Sequence, residues 1–127
     1  MSKTIFIDDQ QSWDRVAEAL APEPLLALDT ESNSLHTYRD RVCLIQIATG
    51  GDIFLLDPLA VTDLSALGRL LANPSITKVA HGSDYDMRCL HRDYGFTVRS
   101  LFDTEMAARF LGSSRTNLTS VLEGFLG

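Results

Sequence analysis

Apolar and polar residues alternate in blocks along the chain, and these blocks predict a series of short strands and amphipathic helices. Strands are predicted over residues 4–7, 25–28, 42–48, 53–56 and 77–81, with a short apolar segment at 98–102. Helices are predicted over residues 13–21, 63–72, 83–94, 103–111 and 118–126. This order of elements predicts a mixed α/β sheet with helices on its faces.

Short polar side chains stand where several of these helices begin and can accept hydrogen bonds from the first free N–H groups of a helix. The predicted capping residues are Ser12, Asp63, Ser83 and Asp103. Gly95 stands where the predicted helix at 83–94 ends, a position at which the left-handed conformation is common. A Gly-Gly pair at 50–51 predicts a hairpin turn between two strands.

The run at 25–28 is continuously apolar, which predicts a central strand buried on both faces. It leads directly into Asp29, Thr30 and Glu31, and open α/β sheets place ligand sites at such strand ends. Residues i and i+2 of a strand share a face, so the two carboxylates repel each other unless a hard divalent cation lies between them. The alternative is a solvated strand end in which Asp29 caps a turn.

The same three residue types recur at 103–105, where they open a predicted helix. There Asp103 is a natural N-cap and Glu105 lies in the first turn, where a negative charge is favourable. Positions i and i+2 of a helix point to different faces, so this second copy is assigned to structure.

The segment at 81–86 joins a predicted strand to a predicted helix and carries a second candidate carboxylate, Asp86. Ser83 and Asp86 have the spacing of a capping box, which is a structural explanation for Asp86. A carboxylate in that first helical turn is equally well placed to complete a metal site. His81 is either a buried core histidine or a polar contact to substrate.

Composition limits the class of protein. The 127 residues carry a net charge of −6, which argues against a protein that holds nucleic acid by bulk positive charge. Cys43 and Cys89 are far apart, lie in apolar stretches and form no Cys-x-x-Cys motif, so we expect two buried free thiols. The chain has neither a signal-peptide pattern nor an apolar run long enough for a membrane span, which predicts a cytoplasmic protein with no membrane partner.

In order and spacing, these segments resemble the ribonuclease D-like branch of the DEDD 3′–5′ exonucleases. The matching stretches are residues 28–31, 41–48, 56–59, 78–86, 101–104 and 107–112. The resemblance implies a ribonuclease H-like fold with a mixed β-sheet flanked by helices. It also implies metal-dependent hydrolysis of nucleotides from single-stranded 3′ ends, with RNA as the expected substrate.

The resemblance assigns Asp29 and Glu31 to the first exonuclease motif and Asp86 to the second. These three residues would be catalytic and would hold two divalent ions, Mg²⁺ or Mn²⁺. Asp29 would bridge both ions, Glu31 would hold the ion that activates water, and Asp86 would support the other ion. Thr30 and His81 are the expected substrate contacts. Candidate side chains for holding the nucleic-acid strand are Arg39, Arg41, Arg88 and Arg92.

The family's third motif, a Tyr followed by a fourth Asp, does not occur within the 127 residues. We therefore expect residues 1–127 to form one partial exonuclease domain, truncated before that motif, with weak or no activity of its own. The alternative is a non-catalytic nucleic-acid-binding or scaffold domain with the same fold.

Overall fold

The computed structural model of the chain describes residues 2–33 and 40–127. The strands in these ranges are β1 (Thr4–Ile7), β2 (Leu25–Ser32), β3 (Val42–Ala48), β4 (Ile53–Leu56), β5 (Thr77–Ala80) and β6 (Leu101–Asp103). The helices are α1 (Gln10–Leu20), α2 (Ser65–Ala72), α3 (Asp84–Tyr94), α4 (Thr104–Phe110) and α5 (Leu118–Leu126). The predicted mixed α/β class is confirmed.

The strands of the described ranges form one sheet in the order β1-β4-β3-β2-β5-β6. β3 pairs antiparallel with both β2 and β4, whereas β2 pairs parallel with β5 and β5 pairs parallel with β6. β2 therefore lies between β3 and β5, which confirms its predicted central position. The antiparallel pairing of β3 and β4 confirms the hairpin predicted from the Gly-Gly pair.

One face of the sheet carries the hydrophobic core, to which α1, α2 and α3 contribute side chains. Its largest fully buried apolar members are Ile7, Trp13, Leu20, Leu26, Ile45, Ile47, Leu56, Leu67, Leu71 and Leu90. In β2, Leu26 and Leu28 are buried, but Leu25 is 47% exposed. The prediction that this strand is buried on both faces is therefore wrong, because only alternate residues of β2 face the helices.

The starts of α1 and α2 differ slightly from the predictions. The cap of α1 is Asp9, whose carboxylate accepts hydrogen bonds from the backbone N–H of Ser12 at 2.8 Å and from its hydroxyl at 2.7 Å. Ser12 is thus inside the helix, because an N-cap side chain serves the N–H of a residue two or three positions later. Asp63 lies one residue before the N-cap position of α2 and accepts from the N–H of Ser65 at 3.0 Å. At the other end of α3, Gly95 has φ +70°, as predicted.

Lys78 of β5 is fully buried and joins that strand to the end of α2. Its Nζ donates to the carbonyl oxygens of Leu70 at 3.3 Å, Asn73 at 2.7 Å and Ile76 at 2.6 Å. Burial lowers the pKa of Lys78, because an apolar environment disfavours the charged ammonium. The side chain therefore serves as a donor for backbone carbonyls around the turn that leads into β5.

Candidate active site

The last residues of β2 alternate between two environments. Asp29 and Glu31 are exposed, whereas Thr30 between them is only 8% exposed. Successive side chains of a strand point to opposite faces, so the two carboxylates share the open face and Thr30 points toward the helices. The pairing of Asp29 with Gln46 of β3 continues the ladder through this segment. The carboxylates therefore lie within the central strand, just before a shift of the β2–β3 register between Glu31 and Ser32.

Asp86 approaches this strand end from the first turn of α3. The Thr30 hydroxyl donates to Asp86 Oδ1 at 2.5 Å, a contact that joins residues 56 positions apart. Burial raises the pKa of Asp86, the Thr30 hydrogen bond opposes that rise, and the charges of Asp29 and Glu31 add to it. Asp29 and Glu31 are thus close enough to Asp86 to disfavour its charged form.

Ser83 does not form the predicted capping box with Asp86. Its side chain makes no capping hydrogen bond to α3, and its hydroxyl instead donates to Asp103 Oδ2 at 2.8 Å. The structural explanation of Asp86 as the partner of Ser83 is therefore wrong. Asp86 accepts a hydrogen bond from the Thr30 hydroxyl instead, and its role in a metal site stays a prediction.

Asp103 caps α4, as predicted, and accepts at Oδ1 from the N–H groups of Glu105 at 2.9 Å and Met106 at 3.2 Å. The same carboxylate also accepts from Gly82 N–H at 3.0 Å and Ser83 N–H at 2.7 Å, in the turn before α3. Burial alone would raise the pKa of Asp103, but these hydrogen bonds outweigh it and hold the pKa far below its usual value. Asp103 therefore serves two helix starts.

His81 follows β5 and has both ring nitrogens engaged within the chain. Nε2 lies 2.7 Å from the carbonyl oxygen of Thr116, which can only accept, so Nε2 is the donor. Nδ1 lies 2.8 Å from the hydroxyl oxygen of Thr104. His81 thus ties the end of β5 to the start of α4 and to the loop before α5. Its contact with substrate stays a prediction, as does that of Thr30.

The chain matches the sequence profile of the 3′–5′ exonuclease family over residues 4–127. It belongs to this family. Protein RRP6-like 3 of Arabidopsis thaliana is 36% identical over 124 residues, which are 97% of this chain and 14% of that protein. This exonuclease-family chain therefore spans a small part of that relative's length.

Two solved structures of the family have the same fold. The catalytic core of RRP6 from Trypanosoma brucei superposes with a TM-score of 0.91 and 29% identity, over 97% of this chain and 34% of that one. Escherichia coli RNase D, described as an exoribonuclease involved in structured RNA processing, superposes with a TM-score of 0.86 and 33% identity. That match covers 94% of this chain and 32% of RNase D. The expected fold of this exonuclease-family chain is thus confirmed.

The donor chemistry at the end of β2 fits a hard divalent cation. Asp29, Glu31 and Asp86 offer only carboxylate oxygens, the ligands that suit Mg²⁺ and Mn²⁺, and the mutual repulsion at Asp86 is what a cation would relieve. Over residues 2–33 and 40–127, no three His, Cys, Asp or Glu side chains are gathered closely enough to enclose an ion. The Thr30 hydroxyl engages only Oδ1 of Asp86, and the other carboxylate oxygen would be the one to hold an ion.

The arginines predicted to hold the nucleic-acid strand lie on α3 and in the segment before β3. Arg88 forms an exposed ion pair with Asp84 at 2.9 Å, and Arg92 pairs with Asp93 at 2.7 Å. The backbone N–H of Arg41 donates to Asn33 Oδ1 at 2.9 Å. The fourth candidate, Arg39, lies outside the described residues.

None of the helices in the described ranges combines the length and the apolar character that a membrane crossing requires.

Proposed function

We propose that this chain forms the part of a 3′–5′ exoribonuclease that carries the first three metal-binding carboxylates. The observation that supports the proposal is the hydrogen bond from Thr30 to Asp86, which brings Asp86 to the strand that carries Asp29 and Glu31 in a member of the exonuclease family. The substrate class is single-stranded RNA with a free 3′ end. The similarity to RNase D, an exoribonuclease, supports that choice.

We infer that the three carboxylates hold two divalent ions, Mg²⁺ or Mn²⁺. Asp29 would contribute to holding both ions, Glu31 to holding one of them and Asp86 to holding the other. Bound there, such ions lower the pKa of the attacking water and stabilise the charge on the leaving 3′ oxygen. The exposure of Asp29 and Glu31 leaves both carboxylates accessible to cations from solvent, while Thr30 donates a hydrogen bond to Asp86 from the buried side.

We further propose that residues 1–127 form one partial exonuclease domain and that the protein is cytoplasmic. No Tyr-x-x-x-Asp pattern occurs in the 127 residues, so we expect them by themselves to bind divalent ions but to hydrolyse RNA slowly or not at all. The Tyr and the fourth Asp of the family's third motif would otherwise orient the water and complete the ligand set.

The first experiment measures Mn²⁺ affinity by electron paramagnetic resonance at pH 7. We expect Asp86→Asn to weaken binding by about tenfold, the effect of losing one charged ligand. Asp84→Asn is the matched control, because Asp84 lies two residues earlier in α3 with an 86% exposed side chain paired to Arg88. Equal affinities in wild type and Asp86→Asn would contradict the assignment.

The second experiment follows single-stranded RNA labelled at its 5′ end, with Mn²⁺ and a high concentration of the chain. Any hydrolysis should shorten the RNA one nucleotide at a time from the 3′ end and should vanish in Asp29→Asn. Internal cleavage, or shortening from the 5′ end, would contradict the proposed reaction. Rapid digestion that disappears in Asp29→Asn would support the reaction but contradict the expected weakness of these 127 residues.

A further inference from the structure

The turn between β5 and α3 supplies N–H groups that the helix itself cannot satisfy. The first four N–H groups of any helix lack a partner within it, and a capping side chain usually serves one of them. Ser83 is the N-cap of α3, yet its side chain makes no such bond. Gly82 before it has φ +62°, a conformation that glycine tolerates best. This turn therefore depends on a partner from elsewhere in the chain.

That partner is Asp103, which lies about twenty residues later in sequence. Its Oδ2 accepts from the N–H and the hydroxyl of Ser83, at 2.7 and 2.8 Å, and its Oδ1 accepts from the N–H of Gly82 at 3.0 Å. Oδ1 also accepts from Glu105 N–H and Met106 N–H at the start of α4. One carboxylate thus uses both oxygens to join the starts of α3 and α4.

The position of Ser83 determines where Asp86 lies. The first hydrogen bond of α3 runs from Met87 N–H to the Ser83 carbonyl at 2.9 Å, and Asp86 is in the turn that this bond closes. A helical turn is rigid once its hydrogen bonds have formed, so a shift of Ser83 moves Asp86 relative to Thr30.

We propose that Asp103 is a positioning residue for the metal site and holds Asp86 in place through the turn at Gly82 and Ser83. This inference rests on the proposed function, because it assigns Asp86 to that site. An amide in place of the carboxylate has one acceptor oxygen and one donor nitrogen, so Asp103→Asn cannot accept at both ends. The variant must give up either the cap of α4 or the turn before α3.

The experiment compares Asp103→Asn with Asp9→Asn. Asp9 is the matched control, because it caps α1 with both carboxylate oxygens but has no contact with the turn before α3 in the described chain. Amide hydrogen exchange is measured at Gly82, Ser83 and Met87 under native conditions. We expect exchange at these amides to be roughly tenfold faster in Asp103→Asn, the effect of losing about one hydrogen bond, and unchanged in Asp9→Asn.

Mn²⁺ affinity is then measured for both variants. We expect it to fall about five- to tenfold in Asp103→Asn, because a misplaced ligand costs nearly as much as a missing one, and to stay at the wild-type value in Asp9→Asn. Unchanged exchange in Asp103→Asn would overturn the proposal. Equal losses of Mn²⁺ affinity in both variants would also overturn it, because a general loss of stability would then explain the effect.

Two further results are informative. A wild-type chain that binds no Mn²⁺ would overturn the proposed function, and the exchange rates alone would then decide whether Asp103 positions the first turn of α3. If Asp103→Asn does not fold, Ser83→Ala removes one hydrogen bond to Asp103 and leaves the carboxylate in place. It should accelerate exchange at the same amides by a smaller factor, and wild-type exchange in this variant would count against the proposal.

Discussion

Thr30 on the buried face of β2 is the residue that forms a hydrogen bond with Asp86 of the candidate site. It stands between two exposed carboxylates, and its hydroxyl is turned away from them toward Asp86. A hydrogen bond to a carboxylate favours the charged form, so Thr30 partly offsets the burial and the neighbouring charges that raise the pKa of Asp86. A neutral hydroxyl thereby favours the charged form of Asp86, which is the form that the proposed cation site requires.

Replacing Thr30 by valine should raise the pKa of Asp86 further, because valine keeps the shape of the side chain and removes the donor. The reason is that the hydrogen bond from Thr30 favours the charged carboxylate and is lost in the valine variant. The pH at which Mn²⁺ binding is half-maximal should rise with the pKa, because a protonated carboxyl is a poor ligand. Carboxyl ¹³C NMR titration of Asp86 measures the pKa directly.

Thr30→Ser is the control for this change, because it keeps the hydroxyl. It should leave the pKa of Asp86 and the pH dependence of Mn²⁺ binding close to those of the wild type. A pKa that stays constant or falls in Thr30→Val would show that the hydroxyl does not stabilise the charged form.

At the scale of elements, the bounds of most helices and strands could be predicted from the sequence. The residues that cap or contact them from distant parts of the chain could not. The bounds of β1, β3, β4 and α5 follow from apolar runs and turn residues that lie next to one another in sequence. The start of α1 was missed because Asp9 and Ser12 are both good caps, and only the backbone conformation distinguishes them.

For the candidate site too, what could be predicted is what depends on residues close together in sequence. The positions of Asp29, Glu31 and Asp86 follow from strand ends and from family resemblance. The contacts of Thr30 with Asp86 and of Asp103 with Ser83 bridge elements far apart in sequence, and no local pattern reveals them. Asp, Ser and Thr are all common at helix starts, so the sequence does not show which of them form hydrogen bonds with each other. Those contacts form only when the folded sheet brings the elements together.

Lys78 allows a test of how α2 and β5 are joined. Lys78→Met keeps the length of the side chain and deprives three backbone carbonyls of a charged donor. We expect the free energy of unfolding to fall by about 1–3 kcal/mol, measured by urea denaturation at pH 7. The other lysine of the chain, Lys3, is exposed, so Lys3→Met should change stability by less than about 0.5 kcal/mol. A Lys78→Met chain as stable as the wild type would mean that the cost of burying the ammonium cancels its hydrogen bonds.

At the scale of the whole molecule, a net charge of −6 opposes the approach of a polyanion. The exposed carboxylates Asp29 and Glu31 add to that repulsion locally, and cations bound as proposed would reduce it. Contact with RNA by this family member should therefore depend on divalent ions more strongly than contact made by a basic protein.

Fluorescence anisotropy of a labelled single-stranded RNA tests this dependence. We expect affinity to be at least about tenfold higher with Mn²⁺ than with a chelator at the same ionic strength, which corresponds to about 1.4 kcal/mol. Asp29→Asn should remove most of the difference, whereas Asp84→Asn should keep it. Equal affinity with and without Mn²⁺ in the wild type would contradict a contact mediated by cations.

The order of strands in the sheet also bears on when the site forms during folding. β3 and β4 join through the four residues 49–52, whereas β2 must find β5 about fifty residues later in the chain. Short loops close more readily than long ones, so the β3–β4 hairpin should gain protection first in pulse-labelled amide exchange, and β5 later. Asp86 arrives with the segment that follows β5, so the acidic cluster should be among the last parts of the molecule to assemble. A folding intermediate would then hold Asp29 and Glu31 without Asp86 and would bind cations poorly.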